Sequence, residues 1–539
     1  MKKIKILSIF IVLVIFVSAL SACSKKGDIV PEVTETTDKY RTYYEIFPYS
    51  FADSDGDGTG DLQGIIDKLD YIEGLNYDGL WLTPVHQSTT YHKYDVIDYL
   101  TVDNAFGSLE DYDALVSACH ERGMTILLDL VFNHTSSKHT WFETCISAHS
   151  INKTDNKYYD YYNVKPVSYP IPTGWAVHPR ESSLMYECKF WSEMPDLNLQ
   201  NVLDEPDGNL ANDLKNIMKF WLVDHDVDGF RLDAVSEYFD QNHALNKSFL
   251  TWLNDTAKEL KSDCYIVAEG TWGNPVANQT YYKSGIDGVF AFQNGYTANG
   301  NFSYAVRLEK SAYLSLIDTD TASLCESGIP ANFIANHDTG RSYGISLAGA
   351  DDRNGKEIYG LMAMTYGVTF GYYGDEVGMT VLAQKGTKDS YKDEDKRQPM
   401  PWGDKYQCKP VAGSTKGEDS QKYPYGTVYE QLKDENSLPN YVKRANAIRR
   451  AFPAIARNVA EQVYLSRNRD LCVVKKGDGK DAVYIVWNAS KNSAQEYDFS
   501  KLGNLKLKAT LSTDISDIPS VNGSVLRMPA ASFAVLQND

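Results

Sequence analysis

Short apolar segments alternate with longer amphipathic segments over most of the chain. The short segments are nearly continuous apolar runs, typical of strands that are covered on both faces of a parallel sheet. The longer segments, such as 65–75 and 109–122, repeat their apolar residues at helical spacing. The predicted strands cover 43–47, 79–82, 125–131, 229–233, 264–269, 287–290, 332–335 and 368–372. This series of βα units predicts the α/β fold class, in the form of a (β/α)8 TIM barrel.

Two further regions do not follow this alternation. The chain between the third and fourth strands is rich in Tyr, Pro, Asn and Ser and far too long for a βα loop, so we predict an excursion domain there. Segments of alternating polarity at 471–475, 482–487, 505–511 and 532–536 predict a C-terminal antiparallel β-sandwich domain. A second polar insertion, 375–440, is expected at the rim of the barrel. The predicted domains are the barrel (39–134 and 201–454), the excursion domain (135–200) and the C-terminal domain (455–539).

The first residues have the pattern of an export signal. Three lysines precede an apolar stretch, 6–17, which is too short for a comfortable membrane span. The sequence Leu-Ser-Ala-Cys that ends at Cys23 resembles the lipobox of bacterial lipoproteins. This resemblance implies cleavage after residues 1–22 and a lipid on the thiol of Cys23, which would anchor the protein to the extracellular face of the cell membrane. The polar segment 23–38 is predicted to be a flexible tether.

Composition narrows the choice of partner. The net charge of −19 argues against nucleic acid, and the aromatic content of 12% suits a protein that binds the flat faces of sugars. Seven cysteines follow Cys23 without any C-x-x-C pair, which argues against a zinc site or a disulfide scaffold. The sequence does not decide whether a single disulfide bridge forms, such as one between Cys145 and Cys188. We expect a monomer.

The acidic sequence DSDGDGTGD at 53–61 predicts a metal site. Its alternating carboxylates repel one another unless a hard cation lies between them, and their spacing fits the first part of an EF-hand loop. Gly64 stands where the bidentate Glu of an EF-hand would be, and no helix precedes the loop. A solvated acidic turn is the alternative. We predict a Ca²⁺ loop outside the EF-hand fold, with ligands from Asp53, Asp55, Asp57, Asp61 and the Thr59 carbonyl.

Polar residues gather where the predicted strands end. The third strand runs into DLVFNH (129–134), the fourth into FRLDAV (230–235), the fifth into Glu269, and the seventh into FIANHD (333–338). Because parallel strands end at one mouth of a barrel, the three carboxylates of Asp233, Glu269 and Asp338 and two histidines should share one rim. Burying a carboxylate without a compensating partner costs stability, so a role in core packing does not explain acids at so many strand ends.

Two carboxylates on either side of a bond are what glycoside hydrolysis needs, one ionised and the other protonated. Arg231 lies two residues from Asp233 and is expected to lower the pKa of that carboxyl. Glu269 has no basic neighbour in sequence, so we expect a raised pKa and a proton-donor role. Asp338 is a third acid that could bind substrate hydroxyls.

The four strand-end segments, in this order, resemble the signature regions of the α-amylase family of glycoside hydrolases (family 13). MPDLN (194–198) resembles the fifth region of that family, and GYYGDE (371–376) resembles the end of its eighth strand. The resemblance covers the chain from about residue 40 to the C-terminus. It implies a retaining mechanism with Asp233 as nucleophile, Glu269 as acid/base and Asp338 as transition-state stabiliser.

The same resemblance implies which residues bind the sugar next to the cleaved bond. His134, His337 and Arg231 would hold this sugar and the nucleophile, and Tyr94 would stack on the sugar. Arg397 is a further candidate for the same pocket.

The sequence departs from the family pattern after the nucleophile. Many α-amylases have Lys-His where Ser236-Glu237 stands, so we expect their second calcium site to be absent. Ala234 resembles members that cleave α-1,4 bonds, whereas the acidic loop and MPDLN resemble a branch between oligo-1,6-glucosidases and α-amylases. Trp175 and Trp191 would suit a longer glucan chain.

These features favour an α-amylase that acts on α-1,4 bonds of starch, maltodextrins and maltooligosaccharides. An exo-acting α-glucosidase or an oligo-1,6-glucosidase is the alternative on the same scaffold. An inactive glycan-binding lipoprotein or a transporter accessory subunit is disfavoured by the intact acid trio.

Overall fold

The structure is a computed structural model. It describes residues 27–295, 300–326, 328–341, 352–380, 392–414 and 425–538. The predicted signal peptide, 1–22, and Cys23 lie outside the described residues. Within the described part of the chain, no helix combines the length and the apolar character needed to cross a membrane.

Eight parallel strands close into a barrel, as the sequence predicts. In chain order they are β1 (Thr42–Ile46), β2 (Gly79–Leu82), β3 (Thr125–Leu130), β4 (Gly229–Leu232), β5 (Tyr265–Ala268), β6 (Gly288–Phe290), β7 (Ile329–Phe333) and β8 (Val368–Tyr372). Each strand pairs with its neighbours in the sequence, and β8 closes the barrel against β1. The largest shift from the predicted bounds is at β7, which ends at Phe333, so His337 and Asp338 lie in the loop beyond it.

Helices surround this barrel and follow most of its strands. An amphipathic pattern buries one face of a helix, as in Asn209–Lys219, where Leu210, Leu214 and Ile217 are buried. The described α-helices are Leu62–Asp67, Leu69–Gly74, Leu109–His120, Thr140–Ser150, Gln200–Asp204, Asn209–Lys219, His243–Leu260, Pro275–Tyr282, Asn301–Arg307, Tyr313–Cys325, Asp352–Ala363, Asp393–Lys396, Val428–Leu432, Leu438–Ala451 and Ala454–Arg457.

The barrel interior is filled by large apolar side chains from all strands except β4. This inner cluster includes Tyr43, Trp81, Leu127, Tyr265, Val267, Phe290, Phe333 and Phe370. Strand β4 instead has Arg231 in register with Val267 on one side and Asp129 on the other. Gly229 begins this strand because a Cβ there would lie 1.9 Å from the Tyr265 carbonyl oxygen. A charged pair therefore occupies space that the other strands fill with apolar groups.

The excursion domain lies between β3 and β4. It contains the helix Thr140–Ser150 and a small antiparallel sheet of three strands. Leu184–Glu187 is the middle strand of this sheet, between Val164–Pro166 and Trp175–Val177. An isolated bridge between His134 and Asp196 brings the end of the excursion back to the end of β3. Cys145 and Cys188 are both free and buried, so the bridge that the sequence left open is not formed in the structure.

Two antiparallel sheets form the C-terminal domain. Its strands are β9 (Glu461–Leu465), β10 (Leu471–Lys476), β11 (Val483–Asn488), β12 (Gln495–Asp498), β13 (Leu505–Ser512), β14 (Ser520–Asn522), β15 (Val525–Met528) and β16 (Ser532–Asn538). The five-stranded sheet has the order β9-β10-β11-β16-β13, and the three-stranded sheet has the order β12-β15-β14. Apolar residues of both sheets share one core, among them Val473, Val486, Leu526 and Met528.

Residues 27–38 pack against the protein body instead of forming a free tether. The buried carboxylate of Asp28 lies 3.0 Å from Arg444 Nε and accepts a hydrogen bond of 3.0 Å from the Thr510 hydroxyl. Asp38 forms an ion pair of 2.6 Å with Arg457. The prediction of a flexible tether is therefore wrong for residues 27–38, whose polar side chains have partners more than four hundred positions away in the sequence.

Candidate active site

Arg231 is the centre of a charged group at the mouth of the barrel. It lies on β4, and Asp129 of β3 is its cross-strand partner. One guanidinium nitrogen, Nη1, donates to Asp129 at 2.8 Å and to Asp233 at 2.7 Å. The other, Nη2, donates to Glu269 at 2.6 Å. Arg231 and Asp129 are almost completely buried, so this planar cation fixes the carboxylates by geometry as well as by charge.

The carboxyl of Glu269 has donors on both oxygens. Oε2 accepts from Arg231 and, at 3.1 Å, from the backbone N–H of Ala234. Oε1 accepts from the indole N–H of Trp272 at 2.8 Å. Glu269 has no basic neighbour in the sequence, but it lies beside Arg231 in the structure because β4 and β5 are adjacent in the barrel. The pKa of Glu269 is nevertheless raised, since burial outweighs the effect of Arg231.

The pKa of Asp233 is shifted in the direction opposite to the one expected from the sequence. Burial raises this pKa to about 6, and the negative charges of Asp129 and Asp338 act in the same direction. Arg231 lowers the pKa but does not outweigh burial, because the same guanidinium serves three carboxylates. The expectation of a depressed pKa considered Arg231 alone, so the structure corrects it.

Asp338 is the one acid of the three that is held firmly ionised. His337 Nε2 lies 2.9 Å from one of its oxygens, and Arg397 Nη2 lies 2.8 Å from the other. Burial on its own would raise the pKa of Asp338, but these two cations hold it well below its usual range. His337 is fixed in turn by Glu45 of β1, at 2.7 Å. The carboxylates of Asp338 and Glu45 outweigh burial and raise the pKa of His337 to about 9.

Tyr94 and His134 complete the set of predicted sugar-binding residues. The ring of Tyr94 stacks on His337 with centroids 5.5 Å apart, and its hydroxyl donates to Asp129 at 3.0 Å. His134 is buried at the end of β3, and burial lowers its pKa to about 4, so its ring is neutral at pH 7. No described residue forms a hydrogen bond with its Nε2.

A cavity of about 840 Å³ opens at these residues. Of the predicted residues, Tyr94, His134, Asp233, Glu269, Asp338 and Arg397 line it. Arg231 and His337 are not among the lining residues and act through the acids that they hold. The sequence assigned no role to Asp129 and Glu45, although each is a lone acid within a buried strand, which is a signal that could have identified them.

Aromatic side chains also line the cavity. Phe190 and Trp191 of the excursion domain are 52% and 46% exposed, and Trp272 follows β5. Trp175 is not among the lining residues, and Lys165 covers its ring at 3.6 Å. Of the two tryptophans that would suit a longer glucan chain, Trp191 therefore lines the cavity and Trp175 does not.

Glu237 lies in the segment after the nucleophile where many α-amylases bind a second calcium, and here it forms an ion pair with a lysine. Lys189 of the excursion domain lies 3.2 Å from Glu237 and also pairs with Asp240. Its backbone N–H donates to Asp196 at 3.1 Å. The side chain of Lys189 thus links the excursion domain to the loop after β4.

The acidic loop 53–61 brings three carboxylates together. One oxygen from each of Asp53, Asp55 and Asp61 lies within 4.8 Å of the others. Backbone N–H groups hold these side chains, as in the bonds of 2.6 and 2.7 Å from Gly56 and Gly58 to Asp53. Hard oxygen donors of this kind fit Ca²⁺.

Asp57 does not belong to this group. Its side chain accepts a bond of 2.6 Å from the Thr59 N–H, and its own carbonyl accepts from Lys409 Nζ at 2.7 Å. The Thr59 carbonyl stays a prediction.

Comparison with known proteins agrees with this fold. A family model described as "Alpha amylase, catalytic domain" matches residues 45–458. The chain belongs to the α-amylase family of glycoside hydrolases.

The relatives of this chain carry different names. "Alpha-amylase 3" of Dictyoglomus thermophilum is 32% identical, covering 87% of this chain and 90% of its own length. "Oligo-1,6-glucosidase" of Bacillus cereus is 30% identical, covering 66% of this chain and 68% of its own length. The solved structure "Eubacterium rectale Amy13B" has a TM-score of 0.84 and 35% identity, with 95% of this chain and 97% of that chain covered.

Proposed function

We propose that this protein is a retaining α-amylase that hydrolyses α-1,4-glucosidic bonds in starch, maltodextrins and maltooligosaccharides. The observation that carries the proposal is the shared guanidinium of Arg231, which holds Asp233 and Glu269 at the wall of one cavity. Two carboxyl groups with separate roles are the minimum that retaining hydrolysis requires.

In the first step, Asp233 attacks the anomeric carbon and Glu269 gives its proton to the leaving glycosidic oxygen. The bond from carbon to that oxygen breaks as the bond to Asp233 forms, and a glycosyl ester results. In the second step, Glu269 takes a proton from water, and the oxygen of that water displaces Asp233. Arg231 stays with both carboxylates and offsets their charge throughout.

The ionised Asp338 accepts hydrogen bonds from the hydroxyls of the sugar at the cleaved bond. Its negative charge also favours the oxocarbenium-like transition state. His134 is neutral and its Nε2 has no described partner, so it is free to bind a sugar hydroxyl. Tyr94 offers the sugar a flat face that His337 supports from behind.

Two observations support cleavage of α-1,4 bonds in chains. Ala234 follows Asp233 and lines the cavity, whose volume of about 840 Å³ has room for more than one sugar. The exposed Phe190 and Trp191 extend the aromatic lining beyond the acids. The alternative, an exo-acting α-glucosidase or oligo-1,6-glucosidase, is supported by the relative that carries the latter name.

Ca²⁺ is the proposed occupant of the loop 53–61, with Asp53, Asp55 and Asp61 as ligands. Its chemistry there would be to neutralise their mutual repulsion and to fix the loop. None of these three residues lines the cavity, so the ion would stabilise the protein without taking part in the reaction.

The proposed location of the protein is the outer face of the cell membrane, where a lipid at Cys23 would anchor it. It rests on the amino-terminal sequence alone. Metabolic labelling with a palmitate analogue tests it, since Cys23→Ser should abolish incorporation into the protein.

Product analysis tests the proposed specificity. Soluble starch and isomaltotriose are incubated with the protein, with Asp233→Asn as control. We expect mixed maltooligosaccharides from starch and a rapid fall in viscosity, and both should disappear in the variant. Release of glucose from isomaltotriose with starch left intact would assign the protein to the oligo-1,6-glucosidases.

A further inference from the structure

Trp272 contacts the proposed acid/base directly. Its indole N–H donates to Oε1 of Glu269 at 2.8 Å, and its ring stacks on Phe292 with centroids 5.1 Å apart. The resemblance that identified the acids assigned no role to this tryptophan. It lies three positions after Glu269, in the loop between β5 and the helix Pro275–Tyr282.

The loop that carries Trp272 is fixed by Asn278 of that helix. The side-chain oxygen of Asn278 accepts from the Thr271 N–H at 2.8 Å. A Cβ at Gly270 would lie 2.3 Å from the same oxygen, so only glycine allows this approach. The Thr271 hydroxyl donates to the Asn274 carbonyl at 2.6 Å. These contacts place the indole before any substrate binds.

The two oxygens of Glu269 are not equivalent. Oε2 faces two donors, the Arg231 guanidinium and the Ala234 N–H, so a proton on Oε2 would meet donors instead of acceptors. The proton of the neutral acid must therefore be on Oε1. A carboxyl oxygen has two lone pairs, and the Trp272 N–H occupies one of those on Oε1.

We propose that Trp272 is a positioning residue that fixes Oε1 of Glu269 as the oxygen that transfers the proton and directs that proton into the cavity. The inference rests on the proposed function, because it assumes that Glu269 is the acid/base. Trp272 lines the cavity with Glu269, as expected if the proton leaves on that side.

The indole N–H also favours the ionised form of Glu269, as any donor to a carboxylate does. Among the described residues, the charged or titratable groups that influence Glu269 include Arg231, Asp233, Asp338 and Tyr238. All of them are retained in a variant of Trp272. Loss of the N–H should therefore raise the pKa of Glu269. In the pH profile of kcat/KM, the alkaline limb should then move to higher pH.

The test compares wild type, Trp272→Phe and the control Trp191→Phe over the pH range. Trp191 lines the cavity but donates no described hydrogen bond to Glu269. In Trp272→Phe we expect the alkaline limb to move up by about one pH unit, because one hydrogen bond to a charged group changes its pKa by about that amount. We expect no movement in the control. A second variant with benzothienylalanine at 272 replaces only the ring N–H by sulfur, and it should give the same shift even if the phenylalanine variant folds poorly.

Leaving-group ability gives an independent readout. On a maltooligosaccharide, whose leaving group needs a proton, kcat of the variants should fall by about tenfold. On an aryl maltoside with a nitrophenolate leaving group, kcat should change little. Equal losses on both substrates, or an unmoved alkaline limb, would overturn the role of Trp272. Glu269→Gln separates the two proposals, because wild-type turnover in that variant would contradict the proposed function itself.

Discussion

Arg231 donates to Glu269 at 2.6 Å from the neighbouring strand, although 38 positions separate the two residues in the sequence. The same guanidinium donates to Asp129 and Asp233. One cation therefore balances three acids, and the charge of the site changes whenever one of them gains or loses a proton. This relationship accounts for carboxyl groups that are buried, close to a cation and still raised in pKa.

Replacement of Arg231 by lysine should abolish most activity and weaken the fold. A single ammonium cannot reproduce the fork of donors by which the guanidinium holds three carboxylates, so Asp129 would be left buried without its partner. We expect kcat to fall at least about a hundredfold and the free energy of unfolding to fall by about 3 kcal/mol. Steady-state kinetics and denaturant unfolding measure the two effects.

Arg449→Lys is the matched control for this variant. Arg449 is also buried, but its guanidinium donates to the carbonyls of Ala363 and Thr365 and does not line the cavity. Its replacement should weaken the fold and leave kcat within about twofold of wild type. Unchanged kcat in Arg231→Lys would contradict the shared role of that cation.

The acid limb of kcat/KM should reflect Asp233. The nucleophile must be ionised, and its pKa is about 6, so activity should be lost as the pH falls through about 6. The charge of Asp129 raises this pKa. In Asp129→Asn the limb should therefore move to lower pH, even if kcat itself falls. A limb that stays in place or moves to higher pH would show that Asp129 does not set the charge of the nucleophile.

Calcium removal should lower stability with little effect on the chemistry. Chelation with EDTA should lower the Tm of wild type, and added Ca²⁺ should restore it, because a ligand that binds the folded state stabilises it. Asp53→Asn should remove this response, since Asp53 belongs to the carboxylate group. Asp57→Asn is the control and should retain it. A response to Ca²⁺ that survives in Asp53→Asn would place the ion elsewhere.

The amino-terminal segment 27–38 should contribute to stability. The side chain of Asp28 is buried, and its removal leaves Arg444 without its carboxylate partner. We expect Asp28→Ala to lower the free energy of unfolding by about 3 kcal/mol. A chain that begins at residue 27 should unfold like wild type, whereas one that begins at residue 39 should be less stable. Equal stability of these two chains would show that the segment is only a tether.

The sequence predicted the barrel and the acids because both depend on local signals. The strands are continuous apolar runs, and Asp233, Glu269 and Asp338 stand at or just beyond strand ends, where the geometry of a parallel barrel brings them together. Of the two tryptophans expected to suit a longer glucan chain, Trp191 lines the cavity and Trp175 does not, because the contact of Trp175 with Lys165 depends on the fold of the excursion domain.

The direction of the pKa shift of Glu269 was predicted, whereas that of Asp233 was not, because it depends on burial and on contacts between strands. Glu269 looked unpaired until β4 and β5 were placed side by side. Four strands of the C-terminal domain were missed for a different reason. Strands β9, β12 and β14 are largely exposed, and β15 is short, so none has the apolar run by which the others were found.

Capture of the glycosyl ester tests the central claim most directly. A maltosyl fluoride with fluorine at C5 of the reacting sugar slows the second step, so the intermediate should accumulate. Mass spectrometry of the intact protein should show one added fluoroglycosyl unit, and peptide mapping should locate it on Asp233. No adduct together with release of the inverted anomer, or an adduct on another residue, would contradict the assignment of Asp233 as nucleophile.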